Sequence, residues 1–260
     1  MKPTAPIATS ATALLLAFVW FWNASPVGAA AAPLEVVPNT LRITESFRGA
    51  PLRISADIAA GFNAVVELKG DTHDAHLLRK GRRGGLWMNV GEVEVHGAPS
   101  LYLAMSTDPE ILASQADQDR WGYSALQKKV EFSGVLPTDG AALLFEQLVK
   151  LKEEEGLYGV FPGSLKKITG SGDRAKVEGQ FLLPSNIPSG KYQVTLSIVN
   201  HGSVVDKQYA ELTVRMAGLT ALMASMAHEH ALLYGVLSVV IAVLTGFIMG
   251  FVFKGKGSAH

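Results

Sequence analysis

Cysteine is absent from this chain, which excludes disulfides, thiolate nucleophiles and cysteine-ligated zinc or iron–sulfur centres together. A surplus of either charge is also missing, since 23 basic and 23 acidic side chains cancel and the pI is about 7.1. No global field draws in a polyanion, so nucleic acid is not an expected partner. Lack of cysteine fits an exported bacterial domain. Charge all but disappears towards the two ends, where much of the 48% hydrophobic content is gathered.

At the N-terminus Lys2 is the one charge before the apolar run from Ala11 to Trp22, and Asn23, Pro26 and a string of small residues follow. That order is the layout of a signal peptide over residues 1–29, with Val27 and Ala29 as the cleavage pair. An uncleaved N-terminal anchor is the alternative. At the other end, Ala231 to Phe253 carries no charge. At about 1.5 Å per residue it is long enough to cross a ~30 Å hydrocarbon core. Lys254 and Lys256 follow it, which puts the tail at 254–260 in the cytoplasm. Both signals give one topology: a single-pass protein of the bacterial inner membrane, its large domain in the periplasm and its C-terminus inside.

Between the ends, short runs rich in β-formers are separated by turn residues: LRITESF, PLRISADI, AVVELKG, HLLRK, LWMNV, EVEVHG and SLYLAMST. Apolar positions alternate from Leu52 to Ile58, as a strand with one buried face requires. The period then changes. Thr107-Asp-Pro-Glu110 has the form of a capping box, and Ala141, Leu144, Phe145, Leu148 and Val149 recur at helical spacing, closed by Gly156. Strands resume in SLKKITG, AKVEGQFLLP, KYQVTLSIVN and SVVDKQYAELTV. The pattern predicts a mainly β domain over 33–214, an immunoglobulin-like β-sandwich with a helical insertion at about 108–157. Two smaller domains are the alternative. Leu219, Leu222, Met223 and Met226 share one helical face, so 216–230 reads as an amphipathic juxtamembrane segment with a bend at the His228–Glu229–His230 junction.

Candidate chemistry is sparse. No nucleophile elbow, phosphate loop or H-E-x-x-H pattern is present, so we expect no enzyme and no cofactor. Asp71, His73, Asp74, His76 and His96 could meet as a metal site, but DTHDAH reads more simply as a polar hairpin loop. The basic cluster Arg79, Lys80, Arg82 and Arg83 suits sulfate, phosphate or carboxylate, with Trp87 as a floor and Asn89 as a further binding residue. A solvated strand edge is the bland reading of the same residues. In the apolar helix Gly235, Ser238, Ala242, Gly246 and Gly250 line one face, and Gly246 to Gly250 is a G-x-x-x-G packing motif, pointing to self-association or docking against another membrane helix.

The segment FLLPSNIPSGKYQVTLSIVNHGSVVDKQYAELTV resembles the closing strands of bacterial immunoglobulin-like modules. RKGRRGGLWMNVGEVEVHGAPSLYLAMST, with SFRGAPLRISADI before it and AHEHALLYGVLSVVIAVLTGFIMG after it, resembles the alphaproteobacterial putative transmembrane protein family (Alph_Pro_TM) over nearly the whole mature chain. Arg79, Lys80, Arg82, Gly85, Trp87 and Asn89 match its R-K-x-R-x-x-G-x-W-x-N core. Pro99, Ser100 and Tyr102, and Ala227, His228, Tyr234 and Gly235, match two further stretches. The family is defined by topology, so the resemblance implies an anchored domain and no particular chemistry. Its gene setting beside sulfite-exporter-type permeases implies such a permease as partner. An accessory or scaffold protein is thus the leading expectation, and a module binding an anion or envelope ligand is the alternative.

Overall fold

The computed structural model describes residues 33–113, 120–134, 140–169 and 172–254. The expected signal peptide and the tail from 255 onward lie outside the described residues.

The domain is mainly β. One sheet has the order β1 (Glu35–Val37), β3 (Ala50–Ala59), β11 (Arg174–Leu183), β10 (Lys166–Thr169), antiparallel throughout. A second runs β2 (Thr40–Ile43), β13 (Ser203–Met216), β12 (Gly190–Asn200), β4 (Asn63–Gly70), β7 (Tyr102–Ser106), β9 (Tyr158–Phe161), with β2–β13 and β7–β9 parallel. A third holds β5 (Ala75–Arg83), β6 (Leu86–His96) and β8 (Glu131–Gly134). Strands from before and after the insertion interleave, β3 pairing with β11 and β4 with β12.

The alternation in β3 does what it predicts: Leu52, Ile54, Ala56 and Ile58 are buried, facing a core shared with Val177 and Phe181 of β11 and Val194, Leu196 and Leu212 of the second sheet. The sheets approach so closely at Gly179 that a methyl there would fall on Met105 Sδ and Leu165 Cδ1. Tyr192, at the start of β12, donates its hydroxyl hydrogen bond to the Pro188 carbonyl (2.5 Å) and pins the turn before the strand.

In β4 the five residues Ala64 to Leu68 are all buried, because the sheet is covered on both sides. Ala64, Val66 and Leu68 join the main core. Val65 packs outward against Ile111, Trp121 and Val199. The cover is the insertion: α1 (Pro109–Ala113), α2 (Gly122–Gln127) and α3 (Gly140–Glu154). Helix α3 buries Leu144, Phe145, Leu148 and Val149 of the predicted face, while Ala141 in its first turn is exposed.

Three local expectations are corrected. Asp108, rather than Thr107, caps α1, its Oδ1 accepting from the Glu110 N–H at 2.9 Å; the Thr107 hydroxyl is held elsewhere, accepting from the Ala64 N–H. DTHDAH is no hairpin loop, because β4 and β5 belong to different sheets and the segment carries the chain between them. LWMNV and EVEVHG form one strand, β6, with a bulge.

Beyond β13, α4 (Leu219–Glu229) ends at His230, whose backbone leaves helical geometry, and α5 (Ala231–Lys254) begins at once. The helix breaks at the histidine–glutamate junction, as expected. Ala231–Phe253 has a mean hydropathy of 2.6 and none of its apolar window is buried, so it is long and apolar enough to cross a membrane.

Candidate functional site

Two surfaces gather the chemistry-bearing side chains. The first is the β5–β6 hairpin. Its turn is Gly84-Gly85, both at positive φ, the two-residue loop whose twist suits a tight hairpin. Arg83 faces Leu86, Arg82 faces Trp87, and Lys80 faces Asn89. The register slips between Arg79 and Lys80, leaving Val90 unpaired; Val90 lies against Gly81, where a Cβ would strike its methyls. The two-residue turn sets an unbroken register from Arg83–Leu86 to Lys80–Asn89, so Trp87 and Asn89 share a face with Lys80 and Arg82, and the bulge lies beyond them. Arg83 stands on the opposite face with Leu86 and Met88. The structure therefore brings four of the six expected anion-binding residues to one side of an open ribbon, with Arg79 beside the bulge. Leu86 is 69% exposed and Trp87 73% exposed, and Leu78 and Met88 are also open to solvent.

The second surface was not legible in the sequence. On the outer face of β4, the buried Glu67 accepts a hydrogen bond from the Tyr102 hydroxyl (2.9 Å) and an ion pair from Lys69 (2.9 Å). The Lys69 ammonium lies 5.3 Å from the Tyr102 ring centroid. The Gly122 N–H, at the first residue of α2, donates to the Tyr102 hydroxyl oxygen at 2.8 Å. Tyr123 stacks on Tyr158 with centroids 6.5 Å apart, Tyr102 meets Tyr158 edge-on at 6.2 Å, and the Tyr123 hydroxyl donates to Glu153 at 2.6 Å. Burial, reinforced at Tyr102 by the Glu67 charge and at Tyr123 by Glu153, holds the Tyr102, Tyr123 and Tyr158 phenols well above their ordinary range. Burial likewise pushes Tyr192 up to about 12.

Beside this network lies a cleft of about 520 Å³, lined by Glu67, Lys69, Arg120, Trp121, Lys129 and Lys207. Arg120 donates to the Gly202 carbonyl at 2.6 Å. Four cations and one carboxylate line the cleft, and of the four, Lys69 pairs with Glu67. They come from four separated stretches of chain, which is why no motif announces them. The one available signal was Glu67 itself, an acidic residue inside the apolar run AVVELKG.

The histidines are divided. His76 Nδ1 lies 3.1 Å from Glu92, while His96 sits 3.0 Å from Asp74 and 3.2 Å from the Ser133 hydroxyl. Among the described residues no three His, Asp or Glu side chains form a metal-donor set. Asp74, His96 and Ser133 follow the order of a nucleophile relay, but the Ser133 hydroxyl donates its proton to Glu94 at 3.1 Å. The hydrogen bond that His96 Nδ1 gives to Asp74 raises the His96 pKa.

On α5, a groove of about 410 Å³ runs past Gly246 and Gly250 between Val243, Phe247 and Phe251. A Cβ at Gly235, Gly246 or Gly250 would meet nothing within 4 Å. The Ser238 hydroxyl is spent on its own helix, donating to the Tyr234 carbonyl at 2.8 Å.

A mainly β domain joined through a short helix to one apolar helix of spanning length defines a membrane-protein class by build rather than by chemistry. Residues 33–255 match the model of the family described as Putative transmembrane protein (Alph_Pro_TM), and the chain belongs to that family. No curated protein matches it.

Proposed function

We propose that the chain is an exported immunoglobulin-like module tethered to the bacterial inner membrane by α5, with its domain in the periplasm and its C-terminus in the cytoplasm. It works there as a non-catalytic accessory or scaffold subunit of another membrane protein, a permease of the sulfite-exporter type. The immunoglobulin-like reading is supported by strand order. The β1-β3-β11-β10 sheet follows the A-B-E-D pattern of that fold, and β13-β12-β4 follows G-F-C, extended beyond C as in variable-type domains. The Tyr192–Pro188 hydrogen bond has the form of that fold's tyrosine corner. The observation that carries the role is the groove on α5, where Gly246 and Gly250 lie open between Val243, Phe247 and Phe251. A small-residue face on an apolar helix is where a second membrane helix packs closely.

Purification of the tagged chain from native membranes in mild detergent tests this: a polytopic permease is expected to co-elute in fixed stoichiometry. Recovery of the chain alone, after cross-linking in intact cells as well, overturns it. The cationic cleft favours a second reading, a module that binds an inorganic oxyanion or carboxylate. It expects sulfate or phosphate to raise the melting temperature of the wild-type chain but not of a Lys129→Gln, Lys207→Gln variant.

A further inference from the structure

We infer that the tip of the β5–β6 hairpin is a second membrane contact, seated in the interfacial layer of an anionic phospholipid bilayer. Among the described residues β8 pairs with β6 only from Val93 to His96, and from Glu92 to the turn they show the hairpin as a two-stranded ribbon. At about 3.4 Å per residue the stretch from Leu78 to Gly84 reaches roughly 20 Å. Isolated two-stranded hairpins are marginal in water. This one also carries Leu78, Leu86, Trp87 and Met88 exposed near its end, where they gain nothing from the sandwich core.

Charge is sorted along the ribbon. From Leu77 to Gly91 the sequence holds Arg79, Lys80, Arg82 and Arg83 and no acidic residue, whereas Asp74, Glu92, Glu94 and Glu131 all stand at its base. Tryptophan and arginine or lysine together are the side chains that settle at the headgroup level, ring or stem in the acyl boundary and charge among phosphates. A protein pocket would need matching acids at fixed positions, while a bilayer accepts cations presented on both faces of a ribbon, as Lys80 and Arg82 are on one and Arg83 is on the other. The inference rests on the membrane-anchored reading, because α5 would keep a bilayer within reach of the domain. Each cation near an anionic surface contributes about fivefold in partition, so four together decide whether the tip is seated or free.

The test uses the full chain in nanodiscs. Since the sequence has no cysteine, Met88→Cys takes a single environment-sensitive fluorophore, and Ser164→Cys on β10's approach serves as the comparison position. In nanodiscs with about one-third phosphatidylglycerol, the label at 88 should shift to the blue and be quenched by doxyl lipid. In pure phosphatidylcholine, or after addition of molar salt, both signals should fall at least tenfold; salt makes this point without altering the hairpin fold. Arg79→Gln, Lys80→Gln, Arg82→Gln and Arg83→Gln combined should abolish them. The label at 164 should stay in water throughout. A label at 88 that remains in water on anionic nanodiscs, or that responds equally to both lipids, overturns the inference while leaving the anchor intact. Failure of the chain to enter nanodiscs at all, read by size exclusion, overturns the anchor and the hairpin contact with it.

Discussion

Removing one oxygen, by Tyr102→Phe, should loosen the helical cover more than its size suggests. The side chain is 1% exposed, and its hydroxyl serves two partners: it donates to Glu67 at 2.9 Å and accepts from the Gly122 N–H at 2.8 Å. A hydrogen bond to a charged group is worth about 1.5–3 kcal/mol, and a buried N–H left without a partner costs about 1–3 kcal/mol. The two losses share one network and do not simply add, so about 3 kcal/mol is the expected total. Ring volume is conserved, so no cavity contributes. Because Gly122 opens α2, the loss should appear as local opening of α2 rather than of the sandwich. Hydrogen exchange of a peptide spanning 121–128, in the detergent-solubilised chain, should quicken about a hundredfold. Tyr158→Phe is the comparison. Its hydroxyl donates only to the neutral Pro99 carbonyl at 2.8 Å, worth about 1 kcal/mol and a tenfold effect at most. Equal exchange in the two variants, or no change in Tyr102→Phe, would refute the placement of Tyr102 as the joint between sheet and insertion.

Alkali should unfold the domain through its tyrosines. The folded state holds Tyr102, Tyr123, Tyr158 and Tyr192 above their ordinary value of 10. The stability this represents is complete below pH 10 and is lost as pH rises beyond it, because the unfolded chain ionises first. Tyrosinate absorbance should therefore rise together with loss of β-sheet ellipticity; smooth titration of all tyrosines near pH 10 with the fold intact would contradict this. On α5, Gly246→Ile with Gly250→Ile should fill the groove and weaken helix association in a membrane two-hybrid assay, while Ile241→Leu leaves it unchanged. Equal signals at matched expression would make the helix a plain anchor.

Much of the strand set is legible because β3, β11 and β12 obey period two, and α3 and α5 announce themselves by spacing and by length. Strands β1, β8 and β9 escape. Three or four residues such as Glu35–Val37 or Tyr158–Phe161 are too short for a period to appear, and their pairing partners, not their own propensities, make them strands. The continuous apolar run in β4 fits its strand assignment, but nothing in it says that Trp121, more than fifty positions on, covers its outer side. The hairpin turn is visible in Gly84-Gly85, and a two-residue turn there sets the register that puts Lys80, Arg82, Trp87 and Asn89 on one face. The bulge at Val90 is not visible, because the place where a register slips depends on both strands at once.

The pairing of β2 with the last residues of β13 bears on how the domain would carry load. Thr213 to Met216 lie parallel to Thr40 to Ile43, and the Ala217 N–H still reaches the Ile43 carbonyl at 2.8 Å, two residues before α4 begins. Traction from α5 arrives along β13, whose upstream stretch is laced to β12 through Val214. Ladder bonds to β2 lie across that pull, so the parallel pair resists it in shear, many bonds at once, instead of peeling one by one. An antiparallel terminal hairpin hung from its open end would unzip; this clasp should transmit tension from the tether into the centre of the sandwich before any strand lets go.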